Sequence, residues 1–329
     1  MRIRKYHIYI YIYAILSLLL CRVCAVAAYA ADDAPDADRA WAQAVDAVLD
    51  EYDVTRDQIT AGYLNLVTGE EHYINGDEYK VAGSMYKVPL NMYVTSLIAS
   101  GALDWQAHYP NITYEYVRRA SLIDSSNDWS MFLCRMSAVG GYNTFREVTA
   151  PYMGLEADEL DARYKGANSN TSRQFIHCLK LLYDSRESFP EIIETMQQAE
   201  RERFFLLNES RFDIAHKYGY VSEDYHSYMN DCAIAFTAQP IAIVMFTENV
   251  VNAEELLSAY CTAMCEYTNR AVEAERAAAL TAAEAAATPP VAEDAPSADS
   301  AALPAAPIVA LVLIPLCVAA AVYYRRARR

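Results

Sequence analysis

With 329 residues, 54% of them hydrophobic, the chain is long enough for one medium or two small domains and too apolar to be mostly disordered. A formal net charge of -16 argues against a nucleic-acid binder, which needs clustered Lys and Arg to neutralise phosphates. Its six histidines form no His-x-x-x-His set, and its one Cys-x-x-Cys pair, Cys21 and Cys24, lies in the N-terminal apolar run, so neither a metal nor another cofactor is expected.

The chain opens with a basic start, an apolar run and a small-x-small site at Ala28-Tyr29-Ala30. This is the grammar of a secretory signal covering residues 1–30. At the far end Pro307 to Tyr324 is an apolar run just long enough to span a bilayer, and Arg-Arg-Ala-Arg-Arg follows at 325–329. The positive-inside rule leaves those arginines in the cytoplasm and everything between the two runs outside, so the expected protein is extracytoplasmic and tethered by a C-terminal helix. Residues 278–306, rich in Ala, Pro and acid, read as a stalk whose alanine-rich beginning can prolong a helix. Between signal and stalk lies one unit, 31–277, with no internal repeat.

Within that unit the spacing of Trp41, Val45, Val48 and Leu49 predicts a helix, and "QITAGYLNLVTGEEHYINGDEY" predicts two strands joined at Thr68-Gly69. A helical region follows over about 90–210, broken at Gly140-Gly141 and between Pro151 and Gly154. Three strand-like runs, "RFDIAHKYGYV", "SYMNDCAIAFTA" and "PIAIVMFTEN", precede a closing helix. Cys134, Cys178, Cys232, Cys261 and Cys265 lie between the end segments, an odd number that cannot pair completely within one chain. Cys261 and Cys265, four apart on the closing helix, read as buried core thiols.

Three short motifs occur in order: Ser84-Met85-Tyr86-Lys87 where an apolar helix begins, Ser125-Ser126-Asn127 in the helical region, and Lys217-Tyr218-Gly219 on the first strand after it. Alone, each is weak, because a serine at a helix start is more often a cap than a nucleophile. Together they resemble the penicillin-recognising serine hydrolases, in particular the class A β-lactamases with their S-x-x-K, S-D-N and K-T-G motifs. The resemblance spans about 240 residues and extends to "GGYNTFREV", "NTSRQFIHCLKLLYD" and "NDCAIAF".

The resemblance implies an α+β fold: an antiparallel five-stranded sheet flanked by N- and C-terminal helices, with an all-helical subdomain inserted. It implies a monomeric enzyme working through a Ser84 acyl-enzyme on a β-lactam or related amide. Catalysis would fall to Ser84, Lys87 and Ser125. Substrate binding would fall to Asn127, Lys217, Gly219 and Tyr220, the backbone N–H of Tyr220 forming an oxyanion hole with that of Ser84. A cell-wall D,D-peptidase acting on peptidoglycan stem peptides and a catalytically impaired wall-binding module are the alternatives.

The sequence departs from the family pattern in the gap from Ser84 to Ser125, which is shorter than in typical class A enzymes and implies a trimmed helical part, and at three residue positions. Ser126 replaces an aspartate. Tyr218 replaces a threonine or serine whose short hydroxyl helps to bind the substrate carboxylate. In the Glu-x-x-Leu-Asn pattern that supplies the deacylating base, Leu160-Asp161 aligns but Ala157 stands where the glutamate belongs, with Glu156 and Glu159 out of register.

Overall fold

The computed structural model describes residues 37–287, apart from 143, 157–159, 161, 167 and 224. The predicted signal, most of the stalk and the apolar 307–324 run with its basic tail lie outside the described residues. Among the described residues no helix is long and apolar enough to cross a membrane. Of the described residues, those up to Ala279 form one compact unit, and Leu280–Ala287 belong to a second.

The first helix, α1 (Ala37–Glu51), buries Trp41, Val45, Val48 and Leu49, the face its spacing predicts. Strands β1 (Ile59–Asn65) and β2 (Glu71–Ile74) follow. The Asn65 side chain organises the turn between them by accepting from the amides of Val67 and Thr68 at 2.9 and 3.1 Å, and Gly69 adopts the left-handed φ of +79°.

After the helical region come β5 (Asp213–Glu223), β6 (His226–Phe236) and β7 (Ile241–Glu248). The five strands form one sheet in the order β2-β1-β7-β6-β5, antiparallel at every pairing, so the α+β architecture is as the sequence implies. Side-chain alternation along β7 divides the core in two. Ile241, Ile243 and Met245 pack with α1 and α10 (Ala253–Ala287), while Ala242, Val244 and Phe246 pack with α8 (Ser172–Asp184) on the other face. Each large apolar side chain buried this way stabilises the fold by about 1.5–3 kcal/mol.

The helical region begins with α2 (Lys87–Ala99) and continues through α3 (Trp105–His108), α4 (Tyr114–Leu122), α5 (Asn127–Arg135), α6 (Phe145–Thr149), α7 (Ala162–Gly166), α8 and α9 (Pro190–Met196). Both predicted breaks are present, at Gly140 with φ +83° and at Gly154 with φ +71°. One element escaped the sequence reading: β3 (Lys80–Val81) pairs with β4 (Ser169–Asn170), a two-residue ladder too short to leave a periodic signal. Helix α10 runs on through Ala287, and the five cysteines of the domain are free and buried, Cys261 and Cys265 against the sheet.

Candidate active site

The Ser84 turn sits between the small ladder and α2. Ser84 belongs to a 3-10 turn, Gly83–Tyr86, that runs directly into α2, so it precedes the α-helix proper by one turn. The segment before it is clamped from two sides. Asn230 on β6 donates through Nδ2 to the carbonyl of Val81 at 2.8 Å. Asn168, at the end of the loop that follows Gly154, donates to the carbonyl of Gly83 at 2.8 Å and accepts from the amide of Ala82 at 2.8 Å.

Lys87 follows Ser84 by three residues and is fully buried, because α2 is enclosed by apolar neighbours along its first two turns. Its ammonium has three donors, and these go to the Ser125 carbonyl at 2.6 Å, Ser125 Oγ at 3.2 Å and Asn127 Oδ1 at 3.0 Å. Burial disfavours the charged form and lowers the lysine's pKa to about 8.

Ser125 occupies the turn between α4 and α5 in a left-handed conformation, φ +52°, uncommon for a residue with a Cβ. That geometry is held by its neighbour. Ser126 donates its amide to the Ala120 carbonyl at 2.8 Å, and its hydroxyl caps α5 by accepting from the Trp129 amide at 3.3 Å. Serine at this position therefore does what an aspartate N-cap would do, and the motif keeps its shape.

Lys217 comes from β5, the edge strand of the sheet, and is also fully buried. It donates to the same Ser125 Oγ at 3.0 Å and to the Tyr218 carbonyl at 3.0 Å. Burial, with the Lys87 charge adding to it, lowers its pKa to about 7. Ser125 Oγ thus accepts from two lysines and keeps its own proton to give.

The edge of β5 lies hard against the Ser84 turn. A Cβ on Gly219 would stand 2.0 Å from the Ala82 carbonyl oxygen and 3.1 Å from the Ser84 nitrogen. A Cβ on Gly83 (φ +59°) would stand 2.8 Å from the Tyr220 nitrogen. Two glycines facing each other let the backbones close, which brings the Ser84 and Tyr220 amides to the same place. Such a pair of N–H groups can stabilise an oxyanion formed on a carbonyl attacked by Ser84.

All seven residues singled out in the sequence, Ser84, Lys87, Ser125, Asn127, Lys217, Gly219 and Tyr220, are placed around this junction. Others were missed. Arg146 on α6 is buried and donates to the carbonyls of Tyr164 and Ser169 and to Oδ1 of Asn168 and Asn170, at 2.8 to 3.3 Å. It fastens the end of the loop that holds the Ser84 turn. Phe204, with φ +55°, stacks on the Tyr218 ring at 4.2 Å. Its loop is pinned in turn by Asp231, which accepts from the Phe205 amide at 3.1 Å and is bonded to His216 Nδ1 at 2.7 Å, while His216 Nε2 is 3.0 Å from the Glu200 carbonyl. Of the carboxylates weighed for deacylation, Glu156 is exposed and Glu159 lies outside the described residues.

The model of the β-lactamase enzyme family matches residues 40–128 and 132–263, which include every one of these side chains. The chain belongs to that family. Solved β-lactamases share its fold. The TLA-3 extended-spectrum β-lactamase superposes with a TM-score of 0.56 at 15% identity, covering 69% of this chain and 98% of its own. A β-lactamase from Chitinophaga pinensis gives 0.56 at 17% identity, over 70% and 99% of the two chains. A class A β-lactamase from Bacteroides cellulosilyticus gives 0.56 at 12%, over 72% and 100%. No curated protein matches the chain.

Proposed function

We propose that this β-lactamase-family protein is a serine hydrolase that opens β-lactams or related activated amides through an acyl-enzyme on Ser84. The observation that carries the reading is the Ser125 hydroxyl shared by two buried lysines, beside a turn where two backbone amides converge. Lys87 is the base. With its pKa near 8, on the order of a tenth of the molecules hold it neutral at pH 7.

The Ser84 Oγ attacks the acyl carbon and its proton passes to the neutral Lys87 amine. The developing oxyanion is held by the Ser84 and Tyr220 amides. Lys87 then returns the proton through Ser125 Oγ to the leaving nitrogen, the C–N bond breaks, and the acyl group remains as an ester on Ser84. Asn127 positions the substrate, and Lys217 holds the Ser125 hydroxyl. Water attack on the ester completes the cycle.

A second reading, an acyl-enzyme that persists as in a D,D-peptidase that binds penicillin, is favoured by Ala157 standing where the family's water-activating glutamate belongs. The test is intact-protein mass spectrometry with a panel of acylating probes, Ser84→Ala alongside. A transient adduct supports turnover and a lasting one the second reading. An unmodified wild-type protein overturns both.

We place the catalytic unit outside the cell, secreted by the 1–30 segment and tethered by 307–324. The apolar runs and the terminal arginines support this. Protease shaving of intact cells should release the domain; protection from the protease would refute the placement.

A further inference from the structure

The cations of the site offer nothing to an incoming anion. An ammonium has three N–H donors. Lys87 spends all three within the Ser125–Asn127 turn. Lys217 gives two to Ser125 Oγ and the Tyr218 carbonyl, and its remaining direction is covered by the Tyr218 ring, whose centroid is 3.7 Å from Nζ. That distance is a close cation–π contact.

The ring is not loosely placed. Phe204 stacks on it, 4.2 Å between centroids and 9° between planes, and Arg203 packs on Phe204 while pairing with Glu254 of α10. Asp231 and His216 pin the loop beneath. The phenol's ionisation is pushed up by burial, with the nearby Ser125 hydroxyl working the other way, so at neutral pH it is an uncharged lid. The chain as a whole is acidic, at -16, and supplies no background attraction for an anion.

We propose that Tyr218 closes the anion-binding side of the site, and that the substrate is an acyl compound with no carboxylate beside the scissile bond, a neutral amide or ester. The inference rests on the Ser84 acyl-enzyme reading and narrows its substrate class. A carboxylate arriving at this position would have to displace the aromatic stack and break the Lys217 cation–π contact before it gained a single donor. A neutral substituent needs no donor from either lysine and leaves the stack in place.

The experiment uses the full-length chain and two probes that differ only at the carboxyl group, benzylpenicillin and its methyl ester. Adduct formation on Ser84 is followed by mass spectrometry, and each rate is divided by that probe's alkaline hydrolysis rate. A fluorophosphonate provides an independent readout of the serine. The expected result is a preference of about tenfold or more for the methyl ester in the wild type and in Tyr218→Phe, which keeps the lid. In Tyr218→Thr that preference should collapse through a comparable gain for the free acid. A wild-type preference for the free acid, or an unchanged preference in Tyr218→Thr, overturns the proposal while fluorophosphonate labelling leaves the serine-hydrolase reading standing. Failure of every probe, the fluorophosphonate included, overturns both.

Discussion

Asn168 donates to the carbonyl of Gly83 across 2.8 Å, joining the end of a long loop to the residue that precedes Ser84. Its own carbonyl takes the amide of Ala82, so one residue holds both edges of the turn. Asn168→Ala leaves the Gly83 oxygen without this donor, a loss of about 1–3 kcal/mol. At about 2–4 °C per kcal/mol for a domain of this size, the melting temperature should fall by several degrees. Fluorophosphonate labelling should slow by roughly tenfold as the serine loses its placement. A lower melting temperature with an unchanged labelling rate would leave Asn168 with a purely structural role.

The pH profile tests Lys87. Its amine is a base only when neutral, so acylation of Ser84 by an uncharged ester should climb about tenfold per pH unit below about 8 and level off above it. Lys87→Arg, cationic at every accessible pH, should lose about 10²–10⁴-fold and show no such climb. A wild-type rate that stays flat from pH 6 to 9 assigns the proton to another group.

Stability should follow pH in the opposite sense to an ordinary surface lysine. Lys217 is lowered to about 7 in the fold, while in the unfolded chain it keeps the ordinary lysine value. Between those values the unfolded state binds the extra proton, so stability rises with pH. The gain should be visible from pH 7 to about 8.5 as a rising melting temperature. Above that range it is opposed by buried thiols such as Cys134, Cys178 and Cys232, and then by buried tyrosines such as Tyr63, Tyr86 and Tyr114, whose pKa values burial pushes up and which must stay protonated in the fold. Lys217→Met should flatten the slope; an equal slope in the variant would place its origin elsewhere.

Gly219→Ala examines the junction of strand and turn. The new methyl would sit 2.0 Å from the Ala82 oxygen, so β5 must retreat and carry the Tyr220 amide with it. Losing one oxyanion donor costs about 10²–10³-fold in rate. Thermal unfolding distinguishes this from collapse: the variant should melt cooperatively, and full labelling activity in a well-folded variant would show that the close approach is not needed.

Much of the fold was legible because its signals are periodic. Trp41, Val45, Val48 and Leu49 mark one helical face, β1 and β2 flank a Thr-Gly turn, and β7 alternates between two halves of the core. The candidate site was legible for a different reason: Ser84, Lys87, Ser125, Asn127 and Lys217 fall in three short motifs whose order along the chain is itself the signal. The β3–β4 ladder, Asn168 and Arg146 were not. Their partners are mostly backbone carbonyls reached through side chains, and such bonds leave no pattern in the sequence. Tyr218 was read as the loss of a hydroxyl. Its ring matters more than its hydroxyl, and only the placement of Phe204 and Lys217 on its two sides reveals that.

The reactive junction also joins distant parts of the chain. Ser84 lies just after the first three strands, whereas Tyr220 lies on a strand that emerges only after the entire helical region. β5 reaches the sheet by pairing with β6, which itself pairs with β7, which pairs back to β1. A ribosome-bound or half-folded chain therefore has a serine but no second amide, and neither buried lysine has been stripped of water. Chemical competence arrives only with the last strands, so the reactivity of Ser84 towards a fluorophosphonate serves as a clock for completion of the sheet.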